Sequence, residues 1–194
     1  MSLCKKLLKK LEYSAGNLKV PRSTMIINMG PAANCPAGKK DLCKFYKNKK
    51  CYAMKAERAY KESRAFRKRQ AEYWQSTPAD QIAAEINAIQ ERKRKPFKNI
   101  RFNEAGDFYN QKCVKKLSRI ADLVNIPIYT YTSRRDLKFD NLSNNLVITG
   151  SGFMVHNNFK VVPNPKGRYI CARNCRICNL CKKRRGIIIE AAYH

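Results

Sequence analysis

The chain has 194 residues, 44% of them hydrophobic, which suits one folded domain with its own core and excludes a disordered chain. Lysine and arginine number 41 against 14 acids, a formal net charge of +27. Self-repulsion of that size points to nucleic acid or another polyanion as partner, with a lysine-rich coding bias as the plain alternative.

The first residues, Met1 to Lys10, are charged and interrupted, with Leu3, Leu7, Leu8 and Leu11 at helical spacing. They lack the unbroken apolar stretch of a secretory signal, so a cytoplasmic protein is expected. No apolar run approaches the roughly 18–20 residues that span a bilayer, so no membrane is expected either. Residues 1–22 read as an N-terminal extension, 23–165 as an α/β core, and 166–194 as a cysteine-rich segment with a final strand, all in one domain.

Ser23 to Met29 is short, apolar and β-branched, the pattern of a buried strand, and it runs into Gly30-Pro31 and a long loop. From Tyr52 to Gln75 the pattern turns helical, with Tyr52, Ala56, Ala59, Phe66, Tyr73 and Trp74 near one stripe. Arg58, Arg64, Arg67, Lys68 and Arg69 fill its other faces. Thr77-Pro78-Ala79-Asp80 opens a second helix, with Thr77 as cap and Ile82, Ile86 and Ile89 inward. It should stop before Lys95-Pro96. The basic run Arg92 to Lys95 complements the helix dipole or binds phosphate.

Ile100 to Glu104, Ile128 to Thr132 and Leu146 to Thr149 read as strands, and Tyr109 to Val124 as a helix with Val114, Leu117, Ile120, Ala121 and Val124 inward. Strand, helix, strand is a βαβ unit, hence a parallel sheet. The expected architecture is a small parallel-stranded partial (β/α) barrel with a cysteine-rich C-terminal segment. Gly186 to Ile189 reads as the last strand.

Nine cysteines, an odd number, argue against a disulfide framework in such a chain. Cys171-x3-Cys175-x2-Cys178-x2-Cys181 packs four thiols into eleven residues, dense enough to wrap one compact centre. Its two successive x2 gaps resemble ferredoxin-type ligation of a four-iron cluster, whereas zinc more often takes paired knuckles. Arg173, Arg176, Lys182 and Lys183 would offset the negative charge of such a centre. Cys35-x7-Cys43-x7-Cys51 supplies three thiols and leaves a coordination position open, as a reactive centre requires. These three also read as partners of the C-terminal group in one structural cluster, or as ordinary buried residues. Cys113 falls on a core stripe, Cys4 lies near the terminus, and neither His156 nor His194 has metal-like spacing.

Polar residues gather where the strands end: Glu104, Gly106 and Asp107 after one, Thr132, Ser133 and Arg134 after the next, Gly150 after the third. Parallel α/β architectures bind ligands at those ends.

The loop ending in Cys51-Tyr52-Ala53, the stretch Arg101 to Phe108, the run Tyr129 to Thr132 and the terminal four cysteines together resemble the phage "gene product 88" proteins. The resemblance covers roughly Met25 to Cys181. More distantly the chain is similar to the radical S-adenosylmethionine (SAM) superfamily. That likeness implies a four-iron four-sulfur cluster on Cys35, Cys43 and Cys51 with SAM at its open iron, and an auxiliary cluster on Cys171, Cys175, Cys178 and Cys181. It implies catalytic or orienting roles for Glu104, Asp107 and Arg134, and cosubstrate contacts at Gly106, Thr132, Ser133 and Gly150. A phage-encoded chain would work in the host cytoplasm. The loop departs from the superfamily's x3-x2 spacing, and Lys50 stands where an aromatic precedes the third cysteine. Two functions follow: an enzyme cleaving SAM reductively to modify a substrate such as nucleic acid, or a non-catalytic basic nucleic-acid-binding protein stapled by iron–sulfur or zinc.

Overall fold

The computed structural model of the chain describes residues 10–192. The leucine pattern before Leu11, Cys4 and His194 lie outside them. Leu11 itself is buried in the core.

The strands are β1 (Ser14–Ala15), β2 (Thr24–Ile27), β3 (Asn99–Phe102), β4 (Ile128–Thr132), β5 (Leu146–Ser151), β6 (Asn157–Val162), β7 (Tyr169–Ile170) and β8 (Ile188–Ala192). They form one sheet in the order β1-β2-β3-β4-β5-β6-β8-β7. Every pairing is parallel except β1 with β2. Among the described residues the sheet ends at β1 and β7 and is open, so the expected partial barrel is borne out only as a mostly parallel α/β sheet. Short strands at the edges, which turn signals alone do not announce, supply β1 and β7.

Register separates two faces. Ile27, Phe102, Thr130 and Ile148 stand side by side across β2 to β5, as do Met25, Ile100, Ile128 and Leu146. These rows are buried, all but Thr130 in the main hydrophobic core, beneath the helices α4 (Lys61–Ser76), α5 (Ala79–Arg92) and α6 (Gln111–Leu123). Ile82 and Ile86 of α5 and Val114, Leu117, Ile120 and Ala121 of α6 meet them, as their 3.6-residue spacing requires. The helix α5 begins at Ala79 with Pro78 in the cap position, so Thr77 does not cap it. The opposite face carries Ile26, Arg101, Tyr129 and Val147 in one row and Tyr131 and Thr149 in the next.

The single helix expected from Tyr52 to Gln75 is two. An extended Tyr60 separates α3 (Tyr52–Ala59) from α4. The stripe departs too: Tyr52 and Ala59 are exposed, while Glu57 and Arg67 are buried. A charge pair explains it. Glu57 accepts hydrogen bonds from Ala32 N at 2.7 Å and Ala33 N at 3.2 Å, and Arg67 Nη1 donates to Glu57 at 2.9 Å and Ala53 O at 3.1 Å.

β5 and β6 are parallel neighbours joined by only five residues, where such links usually need a dozen or more. Gly150 makes this possible, because a Cβ there would sit 2.2 Å from the Phe153 carbonyl. Gly152 adopts a left-handed φ of 84°. The return is pinned by His156, whose Nδ1 accepts from Ile148 N at 3.0 Å while its own N donates to Ile148 O at 3.0 Å. Burial, with Arg184 nearby, pushes the imidazole pKa down to about 4. The unfolded chain takes up that proton near pH 6.5. The group's contribution to stability is therefore full above pH 6.5 and lost as pH falls through 4. The urea midpoint of the parent should fall across that window, and His156→Gln should lose that part of the slope. Identical profiles for the two proteins would contradict this assignment.

Candidate metal centre

β7 and β8 are adjacent in the sheet, and the chain between them carries Cys171, Cys175, Cys178 and Cys181. A bond from Cys171 N to Glu190 O at 2.7 Å anchors the start of this segment. Glu190 in turn accepts from Gly167 N at 2.8 Å and Lys166 N at 2.9 Å. At its far end, Asn157 Nδ2 donates to Lys183 O at 2.8 Å, and Arg184 Nε donates to Leu146 O at 3.1 Å. Held at both ends, the four thiols line one pocket whose floor is Tyr129 and Tyr131.

Burial pushes the Cys181 thiol up to about 12, against a hydrogen bond from Tyr131, and the other three sulfurs raise it further. Burial also raises Cys175, opposed by Arg101, with Cys171 and Cys178 adding to the rise. Four thiols that discourage each other's ionisation are what a soft cation gathers, since a bound metal stabilises the thiolates. All eight described cysteines are free. Among the described residues no group of three or more His, Cys, Asp or Glu is placed to hold a metal ion.

The N-terminal thiols sit on a chain of short helices that follows β2 and meets the loop after β3 at Ala105. Cys35, Cys43 and Cys51 immediately precede α1 (Pro36–Lys39), α2 (Lys44–Lys47) and α3. Cys35 is pushed up to about 12 by burial and then by Asp107, while the amides of Gly38 and Ala37 pull it down and Cys43 raises it slightly. Cys51 packs beside Ala32, Ala53 and Ala105.

The residues expected to hold a cosubstrate are brought together, and they bind one another. Asp107 Oδ1 accepts from Thr132 Oγ1 at 2.7 Å and Phe108 N at 2.8 Å, and its Oδ2 accepts from Ser133 N at 2.8 Å. Burial lifts the Asp107 carboxyl to about 6, with these bonds and Arg134 opposing. Arg134 is 1% exposed; it donates to Asp136 at 2.6 and 2.9 Å and to the carbonyls of Phe108 and Tyr109. That pairing holds the Asp136 carboxyl well below the usual range. Glu104 accepts from Asn17 Nδ2 and lies 3.9 Å from Arg67 Nη2. Gly106 has a left-handed φ of 76°, and a Cβ there would meet the Gly30 carbonyl at 2.7 Å. It lets the loops after β2 and β3 touch. At Gly150 the chain at Phe153 comes close enough to exclude a side chain.

Against this geometry, a sequence model of the family described as Gene product 88 matches residues 2–187. The chain belongs to the gene product 88 family. That bears out the expected likeness to the phage proteins. No curated protein and no solved structure matches the chain, and nothing among the matches supports the radical SAM likeness. No helix among the described residues is long and apolar enough to cross a membrane.

Sequence reading passed over Arg101, Glu57 and Arg67 as site residues. A signal for Arg101 was present. Between Ile100 and Phe102 it must point to the other face of a buried strand, where a cation needs partners.

Proposed function

We propose that this chain holds an iron–sulfur cluster on Cys171, Cys175, Cys178 and Cys181, and that the cluster fixes a basic fold which engages nucleic acid. The observation that carries the reading is the convergence of those four thiols on one pocket against the sheet. A single zinc with 2.3 Å bonds would draw its four sulfurs to about 4 Å from one another. A four-iron cluster instead takes its ligands on different irons, and the two successive x2 gaps among these cysteines favour that arrangement.

The partner is suggested by a face that is both basic and aromatic. From Pro36 to Arg69 there are thirteen Lys and Arg against three acids, and all thirteen but Arg67 are exposed. Tyr52 and Tyr60, exposed at 58% and 65%, stand among them. Cations with interleaved aromatic rings suit single strands, whose phosphates pair with the cations and whose bases stack on the rings.

A catalytic version adds a second cluster on Cys35, Cys43 and Cys51 with one iron open to SAM. What favours it is the nearness of Cys35 to Cys43 and Asp107. A cluster of that kind would supply the electron for reductive cleavage of SAM. In this reading Asp107 and Arg134 position the loop that faces the thiols, since both are buried and bonded within the fold.

Anaerobic purification with iron, sulfide and zinc analysis tests the proposal, followed by electron paramagnetic resonance with and without SAM. About four irons and four sulfides per chain, lost in Cys175→Ser/Cys181→Ser, are the expected result. About eight irons and a spectrum altered by SAM would favour the catalytic version. Zinc without sulfide, or no metal, would sink both.

A further inference from the structure

Three adjacent strands turn a polar row towards the thiol segment. Arg101 of β3 pairs in register with Tyr129 of β4, and Tyr131 pairs with Thr149 of β5. The Arg101 Nε, the Tyr129 hydroxyl and the Thr149 hydroxyl are buried and have no hydrogen-bond partner among the described residues. Buried donors are rarely left unpaired in folded proteins, and each such group calls for an explanation. Three on neighbouring positions of one face call for a common one.

The thiols lie over this row. Tyr129 and Tyr131 line the pocket with the four cysteines, and the Tyr131 hydroxyl is within hydrogen-bond reach of the Cys181 sulfur. Arg101 stacks on the ring of Tyr131, which lines the pocket, at 5.4 Å. Two cations of the thiol segment itself, Arg173 and Lys182, line the pocket, and Lys182 reaches the Tyr129 ring at 5.9 Å and the Cys175 carbonyl at 3.3 Å. Arg101, whose Nη2 also donates to the Tyr52 hydroxyl at 3.4 Å, is the cation that the row of the sheet supplies.

We propose that Arg101, Tyr129 and Tyr131 are the donor floor of this pocket, hydrogen-bonding the sulfurs of a sulfide-bridged cluster and so favouring it over a single zinc ion. The inference rests on the iron–sulfur reading above and goes further, naming positioning residues outside the ligand segment. A zinc ion offers only its four thiolates, which the segment itself presents. A cluster adds inorganic sulfides as acceptors and a larger negative charge to balance, which donors on the rigid sheet are placed to meet. Hydrogen bonds to sulfur and local charge are also what set the potential of such clusters.

The test uses the full-length chain carrying Tyr129→Phe or Arg101→Lys. Tyr129→Phe removes a hydroxyl with no partner among the described residues and should leave the fold intact. Each protein is reconstituted with iron and sulfide and challenged with chelator, and its zinc affinity is measured separately. The expected result is a cluster held about 10–100-fold less tightly, the usual effect of losing a second layer of hydrogen bonds, with zinc affinity unchanged. The two variants should also shift the reduction potential, which a packing role would not do. Unchanged cluster retention, or a parallel loss of zinc affinity, overturns the inference. A parent that takes up no iron and sulfide overturns the earlier reading as well, whereas a parent and variants that load equally overturn this one alone.

Discussion

Glu57→Ala is expected to destabilise the fold by about 3–5 kcal/mol, the usual result of stripping one partner from a buried ion pair. Glu57 and Arg67 have side chains only 4% and 9% exposed, so water cannot replace the lost contact. The substitution strands the guanidinium, which keeps the Ala53 carbonyl at 3.1 Å but, for charge, a distant Glu104 at 3.9 Å. It also unpairs the amides of Ala32 and Ala33, just before Cys35. Against a typical stability of about 5–15 kcal/mol this is a large share. The double substitution Glu57→Ala/Arg67→Met should recover much of the loss, because it removes the uncompensated charge. Urea denaturation of the parent, both single variants and the double closes the cycle. A cost below 1 kcal/mol for Glu57→Ala would mean that the pair is not buried as described.

Nucleic-acid affinity should collapse with salt. If about six of the twelve exposed cations between Lys39 and Arg69 meet phosphates, log K falls against log salt with a slope of about −4 on single strands. Affinity then drops a few hundredfold between 50 and 200 mM salt. Some cations on this face are already occupied, Lys40 by Asp136 at 3.2 Å and Arg69 by Glu12 at 2.7 Å, which is why six is used rather than twelve. Tyr60→Ala should cost a further 1–3 kcal/mol without altering the slope, since stacking releases no counterions. Fluorescence anisotropy with a labelled oligonucleotide measures both. A flat salt response, or equal affinity for heparin and DNA with no effect of Tyr60→Ala, would reduce the face to a nonspecific cation surface.

The sheet's interior strands and the helix α6 were legible because their patterns are periodic and uninterrupted. Ile100, Phe102, Ile128, Leu146 and Ile148 announce a buried face, and Val114, Leu117, Ile120 and Ala121 announce the helix that covers it. The break at Tyr60 was not legible, since Tyr60 is an ordinary helix residue, and the chain bends there to bring Glu57 and Arg67 inward. Charge pairing overrode the apolar stripe, and a one-dimensional pattern cannot show which charges will meet. The close approach of the chain at Phe153 to Gly150 was likewise not legible, because it depends on how the link to β6 turns back. Spacing did predict that the C-terminal cysteines share one place. It said nothing of Tyr129, Tyr131 and Arg101 beneath them, because strand residues become neighbours of that segment only through register.

Through β6, the order of strands in space is also the order in which a ribosome makes them. Each new strand can dock on the one just finished, so the sheet can be assembled while synthesis continues, with little waiting for distant partners. The four-thiol segment follows β6, onto strands β4 and β5 that are already paired, and β8 then joins β6 and β7. On the proposed reading, loading with a cluster then becomes a late step of maturation rather than its trigger, and cells short of iron would accumulate a nearly complete protein.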